Sequence, residues 1–278
     1  MRAVLAVVVV AGCYAPQPHP GAPCPDGICP TGLVCSPATM TCETAAIDAR
    51  GGDTSLVIDA HVSDATGDAR LDGSTTANAP VMRQQKTSFL APNTSLSMTL
   101  NAAPVAGNVL IFVGATISGA VTISGGGVTT WTLATQSLSN ANEEIYYGIT
   151  DGTNAPITIS RVDTATDIWM HVSEWSGLAT SSLFESASSD AGLSSPASAG
   201  NITTTAPALL VFGATDFLPN TFGTPTPGTW TALTPIVAAQ VTQSVWYRLE
   251  PTPGTYNPQV TETGHEWEAA HAAFHYVP

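Results

Sequence analysis

From Val81 to Pro278 the chain is written in short runs that alternate apolar and polar residues, and no stretch keeps the three-to-four-residue spacing of an amphipathic helix. Ser95-Leu-Ser-Met-Thr-Leu100 alternates strictly, Asn108-Val-Leu-Ile-Phe-Val113 is a short apolar run, and Gly125-Gly-Gly127 separates Val121-Thr-Ile-Ser124 from Val128-Thr-Thr-Trp-Thr-Leu133. Further runs are Glu144–Tyr147, Ile157–Ser160, Ile168–Val172, Leu209–Phe212, Val241–Tyr247 and Glu266–Val277. About a dozen such strands, divided by Gly, Pro, Asn and Asp, predict an all-β domain, a two-sheet β-sandwich of jelly-roll or immunoglobulin-like type. Its core or sheet faces are expected to hold Trp131, Tyr147, Trp169, Trp175, Phe212 and Trp246.

Composition agrees with strands and narrows the partners. Only 10% of the 278 residues are charged, 44% are hydrophobic, and the formal net charge is -14 with seven Lys and Arg. No basic face exists to neutralise a phosphate backbone, which excludes nucleic acid, and the negative charge disfavours contact with anionic lipids. Attachment to a membrane needs another device.

The N-terminus supplies one. Met1-Arg2 is a short positive start, Ala3–Ala11 an apolar run too short to span a bilayer, and Ala11-Gly12 the small residues that a signal peptidase accepts. Val10-Ala11-Gly12-Cys13 resembles the lipobox of bacterial lipoproteins. The resemblance implies that residues 1–12 are cleaved, that Cys13 carries a diacylglyceryl group, and that two or three acyl chains anchor the protein stably. Tyr14 stands where an inner-membrane retention signal would have Asp, which implies outer-membrane sorting, with the domain facing either the periplasm or the cell surface.

Residues 13–43 hold four more cysteines, Cys24, Cys29, Cys35 and Cys42, in a Pro- and Gly-rich segment too small for a hydrophobic core. In an exported chain this predicts a disulfide framework of two bridges, with three connectivities open. Zinc is the rival, disfavoured because no Cys-x-x-Cys pair is present. The spacing is similar to the cysteine-rich spacer modules that follow the lipidated cysteine in some bacterial lipoproteins. Residues 44–80 then read as a disordered Asp- and Ala-rich linker, with Asp48, Asp53, Asp59, Asp64, Asp68 and Asp72 spaced unlike the alternate ligands of a calcium loop. Such a chain averages about 35 Å end to end and would hold the next domain off the membrane.

The order of the Asn108 strand, the Thr130-Trp-Thr-Leu133 strand, the Glu144-Ile-Tyr-Tyr-Gly-Ile149 strand, Val172-Ser-Glu-Trp-Ser-Gly-Leu178 and Pro207-Ala-Leu-Leu-Val-Phe-Gly213 resembles sandwich domains of uncharacterised secreted and surface bacterial proteins. Trp175 stands where that pattern has Tyr. The resemblance implies a fold and brings no catalytic residues.

Chemistry is sparse. His265-Glu266 lacks the second His of a zinc-protease motif, since Ala269 fills that place. His271 and His275 would share one metal on a helix but lie roughly 13 Å apart on a strand, where paired structural histidines are expected. His171, in an alternating strand, is expected to be structural too. No nucleophile elbow or nucleotide-binding glycine pattern occurs, no cofactor or metal is expected, and Glu143, Glu144, Asp163, Asp167, Glu174, Glu262, Glu266 and Glu268 are candidate glycosidase carboxylates that the sequence does not pair. The expectation is a non-catalytic envelope display protein that binds a glycan or another surface protein. Trp230, in a Pro- and Gly-rich stretch, is the candidate for stacking on a sugar, with burial at a strand end as the alternative. An envelope polysaccharide hydrolase and a purely structural protein are the other readings.

Overall fold

A computed structural model describes residues 33–36, 41–44, 79–116, 121–137, 142–161, 166–239 and 241–276. The chain divides into Met1–Ala69 and Arg70–Pro278. In the first unit, β1 (Leu33–Ser36) and β2 (Thr41–Thr44) pair antiparallel, and their register sets Cys35 opposite Cys42.

The second unit is all-β, built of several antiparallel sheets with no helix among the described residues. Its first half contains β3 (Val81–Asn93), β4 (Ser95–Met98), β5 (Val109–Thr116), β6 (Val121–Ser124), β7 (Thr132–Gln136), β8 (Asn142–Ile149), β9 (Ile157–Arg161) and β10 (Thr166–Ser176). Its second half contains β11 (Phe184–Gly192), β12 (Ala197–Ser198), β13 (Ile202–Thr204), β14 (Ala208–Asp216), β15 (Thr231–Ala232), β16 (Ile236–Ala238), β17 (Val241–Glu250), β18 (Gly254–Tyr256), β19 (Gln259–Val260) and β20 (Trp267–His275).

Two large sheets dominate, ordered β3-β10-β5-β8-β7 and β11-β20-β14-β17-β15, with β16 also on β17. Between them lies a core that draws on both: Ile111, Val113, Ile145 and Trp175 from one, Leu209, Val211, Val245 and Phe274 from the other. Each large sheet also buries its outer face. The small sheet β4-β9-β6 covers the first, where Leu96, Met98, Ile157 and Ile159 meet Leu110, Phe112, Ile168 and Met170. On the second, residues of the pairs β12-β19 and β13-β18, among them Ala197, Ile202 and Val260, meet Leu210, Phe212 and Trp246. Burial on both faces is why β5, β10 and β14 read as nearly continuous apolar runs instead of half-polar ones.

The two halves repeat one plan. In each large sheet the last long strand lies between the first and the second, followed by the third. Ile111 and Phe112 stand opposite Tyr147 and Tyr146, as Val211 and Phe212 stand opposite Tyr247 and Trp246. Thr132 and Thr231 face Tyr147 and Tyr247 from the edge strands. Trp175 is opposite Val109 and Phe274 opposite Leu209. Three short sequence matches, 99 or 100 residues apart, carry these positions: Val109-Leu-Ile-Phe112 with Leu209-Leu-Val-Phe212, Thr130-Trp-Thr132 with Thr229-Trp-Thr231, and Ile145-Tyr-Tyr147 with Val245-Trp-Tyr247. Even the indole nitrogens agree, Trp131 Nε1 donating to the Gly125 carbonyl and Trp230 Nε1 to that of Pro227, each at 3.1 Å. Gly125 opens a turn in which three successive glycines hold positive φ, a conformation that side chains disfavour.

Contacts between the halves are reciprocal. Tyr247 packs edge-on against Trp175, with ring centres 4.8 Å apart, and its counterpart Tyr147 packs edge-on against Phe274 at 5.3 Å. Such reciprocity is that of an approximate twofold axis between the two large sheets.

Candidate functional site

Polar groups inside the protein collect where the two large sheets face each other. Glu143 on β8 is wholly buried; its Oε2 accepts a 2.7 Å bond from Thr215 Oγ1, and Gln243 Nε2 donates to both carboxyl oxygens at 3.0 and 3.1 Å. Gly213 leaves the room, because a Cβ there would strike the Glu143 carboxyl. Glu268 on β20, also wholly buried, accepts a bond from Ser137 Oγ and acts on Glu143 through its charge. Burial, with a smaller push from Glu268, lifts the Glu143 pKa to about 8, so it is protonated at neutral pH. Glu144, on the same strand, is lifted to about 7 by burial, against the opposing bond from the Tyr146 hydroxyl.

Glu174, Asp216 and Glu262 tie loops down. Glu174 accepts from the Val105 backbone N–H at 2.8 Å, from Asn108 Nδ2 at 2.5 Å and from Gln84 Nε2 at 2.6 Å, and so pins the segment before β5. Replacing it with Ala leaves three donors short of a partner, one of them buried and two part-buried, and should cost about 3 kcal/mol. A urea melt of Glu174→Ala checks this, and Glu174→Gln should retain part of the loss. Asp216 accepts from Leu218 N and Asn220 Nδ2 and lies 3.4 Å from His265 Nδ1, while Glu262 accepts from His265 N at 3.0 Å. Asp163 lies outside the described residues.

His171, His271 and His275 fall on strands. β20 settles the choice between helix and strand for His271 and His275, and four residues along a strand are too far apart to share an ion. His271 is wholly buried against Phe212 and Trp230, with neither ring nitrogen bonded, and burial lowers its pKa to about 3. His275 instead bonds the Ser182 carbonyl and Glu185. Buried His171 contacts Gln85 Oε1 at 2.9 Å, and its pKa falls to about 4. Among the described residues no group of three or more His, Cys, Asp or Glu is placed to hold a metal ion.

Surface clefts differ in chemistry: one of about 600 Å³ is lined by Arg248 and Glu250 with Thr231 and Tyr247, and another is neutral. A cleft of about 360 Å³ runs beside β15, β16 and β17, with Trp246 and Phe222 among its lining, and Asn220, Thr221, Thr242 and Ser244 supplying amide and hydroxyl groups. No carboxylate, Lys or Arg lines it. Trp230 sits just behind this region, 6% exposed, its ring held between Phe212 and His271 and its N–H on Pro227. So placed, its faces meet protein side chains.

Cys35 and Cys42 are brought opposite each other by the hairpin register; Cys13, Cys24 and Cys29 lie outside the described residues. Sequence reasoning missed the Glu143–Gln243 contact and the cleft at Trp246. Its one available signal was the repeat, since Glu143 precedes Ile145-Tyr-Tyr147 by the same two places as Gln243 precedes Val245-Trp-Tyr247. No family model, curated protein or solved structure matches the chain.

Proposed function

We propose that this is a lipid-anchored protein of the bacterial cell envelope, held in the outer membrane by Cys13, whose β-sandwich domain is displayed on an acidic spacer to bind a surface ligand without catalysis. A glycan is the favoured ligand and an envelope protein the second. The observation that carries this reading is the division of labour among polar groups. Most acidic side chains are buried or engaged in tying loops, whereas the cleft beside β15 and β17 is lined by hydroxyl and amide groups over buried aromatic rings, a lining that suits a neutral sugar. The alternative, a polysaccharide hydrolase, needs two carboxyl groups some 5 to 10 Å apart in an open cleft. Glu143 and Glu268, which the sheets bring together, are both closed off from solvent.

Anchoring is tested in a lipoprotein-competent Gram-negative host by metabolic fatty-acid labelling. The wild-type chain should take up label and Cys13→Ser should not; an unlabelled wild type sinks the anchor. Protease shaving of intact cells should release the folded domain, and resistance to shaving would place it in the periplasm. Binding is tested on a glycan array with the released domain, comparing wild type with Asn220→Ala and Ser244→Ala, each expected to weaken binding about tenfold. Failure to bind any glycan would overturn the glycan reading and leave an envelope protein as ligand or a purely structural role.

The register of β1 and β2 also supports a bridge between Cys35 and Cys42, because opposed residues of an antiparallel pair have Cα atoms about 4.5 to 5.5 Å apart, within disulfide range. Cys24 and Cys29 would then form the other. Peptide mass mapping without reduction should find these two links; free thiols or another pairing would refute the assignment.

A further inference from the structure

We propose that residues 81–178 and 179–276 are two copies of one module, and that the inner face of each copy is a self-complementary surface that binds a second copy of the module. The inference stands apart from the envelope reading and needs no ligand. Each half has a core of its own, since the cluster under β4-β9-β6 draws only on the first half and the cluster under β12, β13, β18 and β19 only on the second. Both contribute equivalent positions to the central core that joins them, Ile111 and Val211, Ile145 and Val245, Tyr147 and Tyr247, Trp175 and Phe274, and a smaller cluster of Phe89 and Trp169 with Ile236 and Val241 adds to the seam. A surface that meets its own copy about a twofold axis must be complementary to itself, because each residue's contact recurs with the roles exchanged. The aromatic pairs Trp175–Tyr247 and Phe274–Tyr147 do this. Hydrogen bonds also join the corresponding sheet edges, with donor and acceptor exchanged: Ser189 Oγ on β11 donates to the Gln136 carbonyl of β7, while Gln85 Oε1 on β3 accepts from the Thr234 N–H beside β15.

On the axis itself, a residue meets its own counterpart. Glu143 and Gln243 occupy the same place in the two copies, opposite Ala115 and Thr215 in their sheets, and they bond to each other. That meeting point distinguishes the possible pairs. In the natural pair a carboxyl meets an amide. Two second copies would place amide against amide, a contact that itself carries no titrating group, with one Glu268 from each copy nearby. Two first copies would set carboxyl against carboxyl, which holds only while a proton is shared. Around Glu143 stand Thr215 from β14, Gln243 from β17, Glu268 from β20 and Glu144 on its own strand, so no basic group is there to neutralise a second charge.

The test uses the full chain with a protease site inserted between Thr180 and Ser181, both exposed in the turn that joins the copies. After cutting, the halves should stay together as a one-to-one complex with an unchanged circular dichroism spectrum. Separated in denaturant and returned to buffer, they should re-form that complex on mixing. The second half alone should pair with itself by native mass spectrometry between pH 5 and 8.5, and the first half alone should pair at pH 5 and dissociate at least about tenfold more readily at pH 8.5. Second halves that remain monomeric where the unlike complex forms would overturn the proposal. A second, uncut variant guards against loss of folding through cutting: Gln243→Glu places two carboxyls on the axis. Its unfolding constant should rise about tenfold more than that of the wild type between pH 5 and 8.5. An identical pH response in the two proteins would mean that these residues do not meet on an axis, and would count against the proposal.

Discussion

Trp175→Ala should lower the stability of the domain by about 3 to 5 kcal/mol, the loss typical of emptying a large buried aromatic site. The indole is 1% exposed, packs on Tyr247 across the sheets and donates from Nε1 to Ser173 Oγ at 2.8 Å, so its removal opens a cavity in the core that both halves share. Phe274→Ala, at the equivalent position of the second half, should cost a similar amount because it removes a wholly buried ring packed on both Tyr147 and Phe184. Urea denaturation at constant pH reads both. A loss under about 1 kcal/mol for either would mean that the sheets do not pack through these rings.

The second large effect is on pH dependence. A buried carboxyl whose folded pKa is about 8, against the ordinary 4.5, binds a proton in the native state that the unfolded chain has released. Its contribution is therefore complete below pH 4.5 and is lost as pH rises toward 8. Glu144, raised to about 7, acts with the same sign over a shorter range. His171 and His271, lowered to about 4 and about 3, act oppositely: the unfolded chain binds protons that they refuse, so their effect costs stability as pH falls below 6.5. Between about pH 4.5 and 6.5 the two carboxyls and the two imidazoles largely offset one another. Above 6.5 only the carboxyls remain, and stability should fall by about 2 kcal/mol by pH 8. Glu143→Gln should remove most of that fall while keeping the bond to Gln243. Urea midpoints at pH 5.5, 6.5 and 8 decide the matter, and a variant that keeps the full alkaline slope would place the titrating group elsewhere.

Much of the fold was legible because period-two alternation is a local signal. Ser95–Met98, Ile157–Arg161 and Val241–Glu250 fall where the apolar and polar residues exchange, and Gly125–Gly127 marks a turn that only residues tolerant of positive φ enter readily. Layering was not legible. β10 and β14 are buried on both sides, so their apolar runs do not say how many sheets cover them. The spacing of His271 and His275 was ambiguous between helix and strand, and only the pairing of β20 with β11 and β14 resolves it. The Glu143 site depends on residues 72, 100 and 125 places further along, brought together by strand order, and no local pattern reports such a meeting. Trp230 was open to two readings, stacking on a sugar or burial at a strand end, and the Pro and Gly around it form a turn whose carbonyl holds the buried indole in place.

In each half the strand that is made last, β10 or β20, lies between the first two long strands and hydrogen-bonds to both. Neither half can therefore close its sheet while its own final strand is still inside a ribosome or a secretion channel. Such a chain remains threadable for the whole time each copy is being delivered, and then gains a central strand, both flanking ladders and a two-sided core in one event. For any chain delivered from its N-terminus onward, putting the final strand in the middle of the sheet makes premature folding topologically difficult.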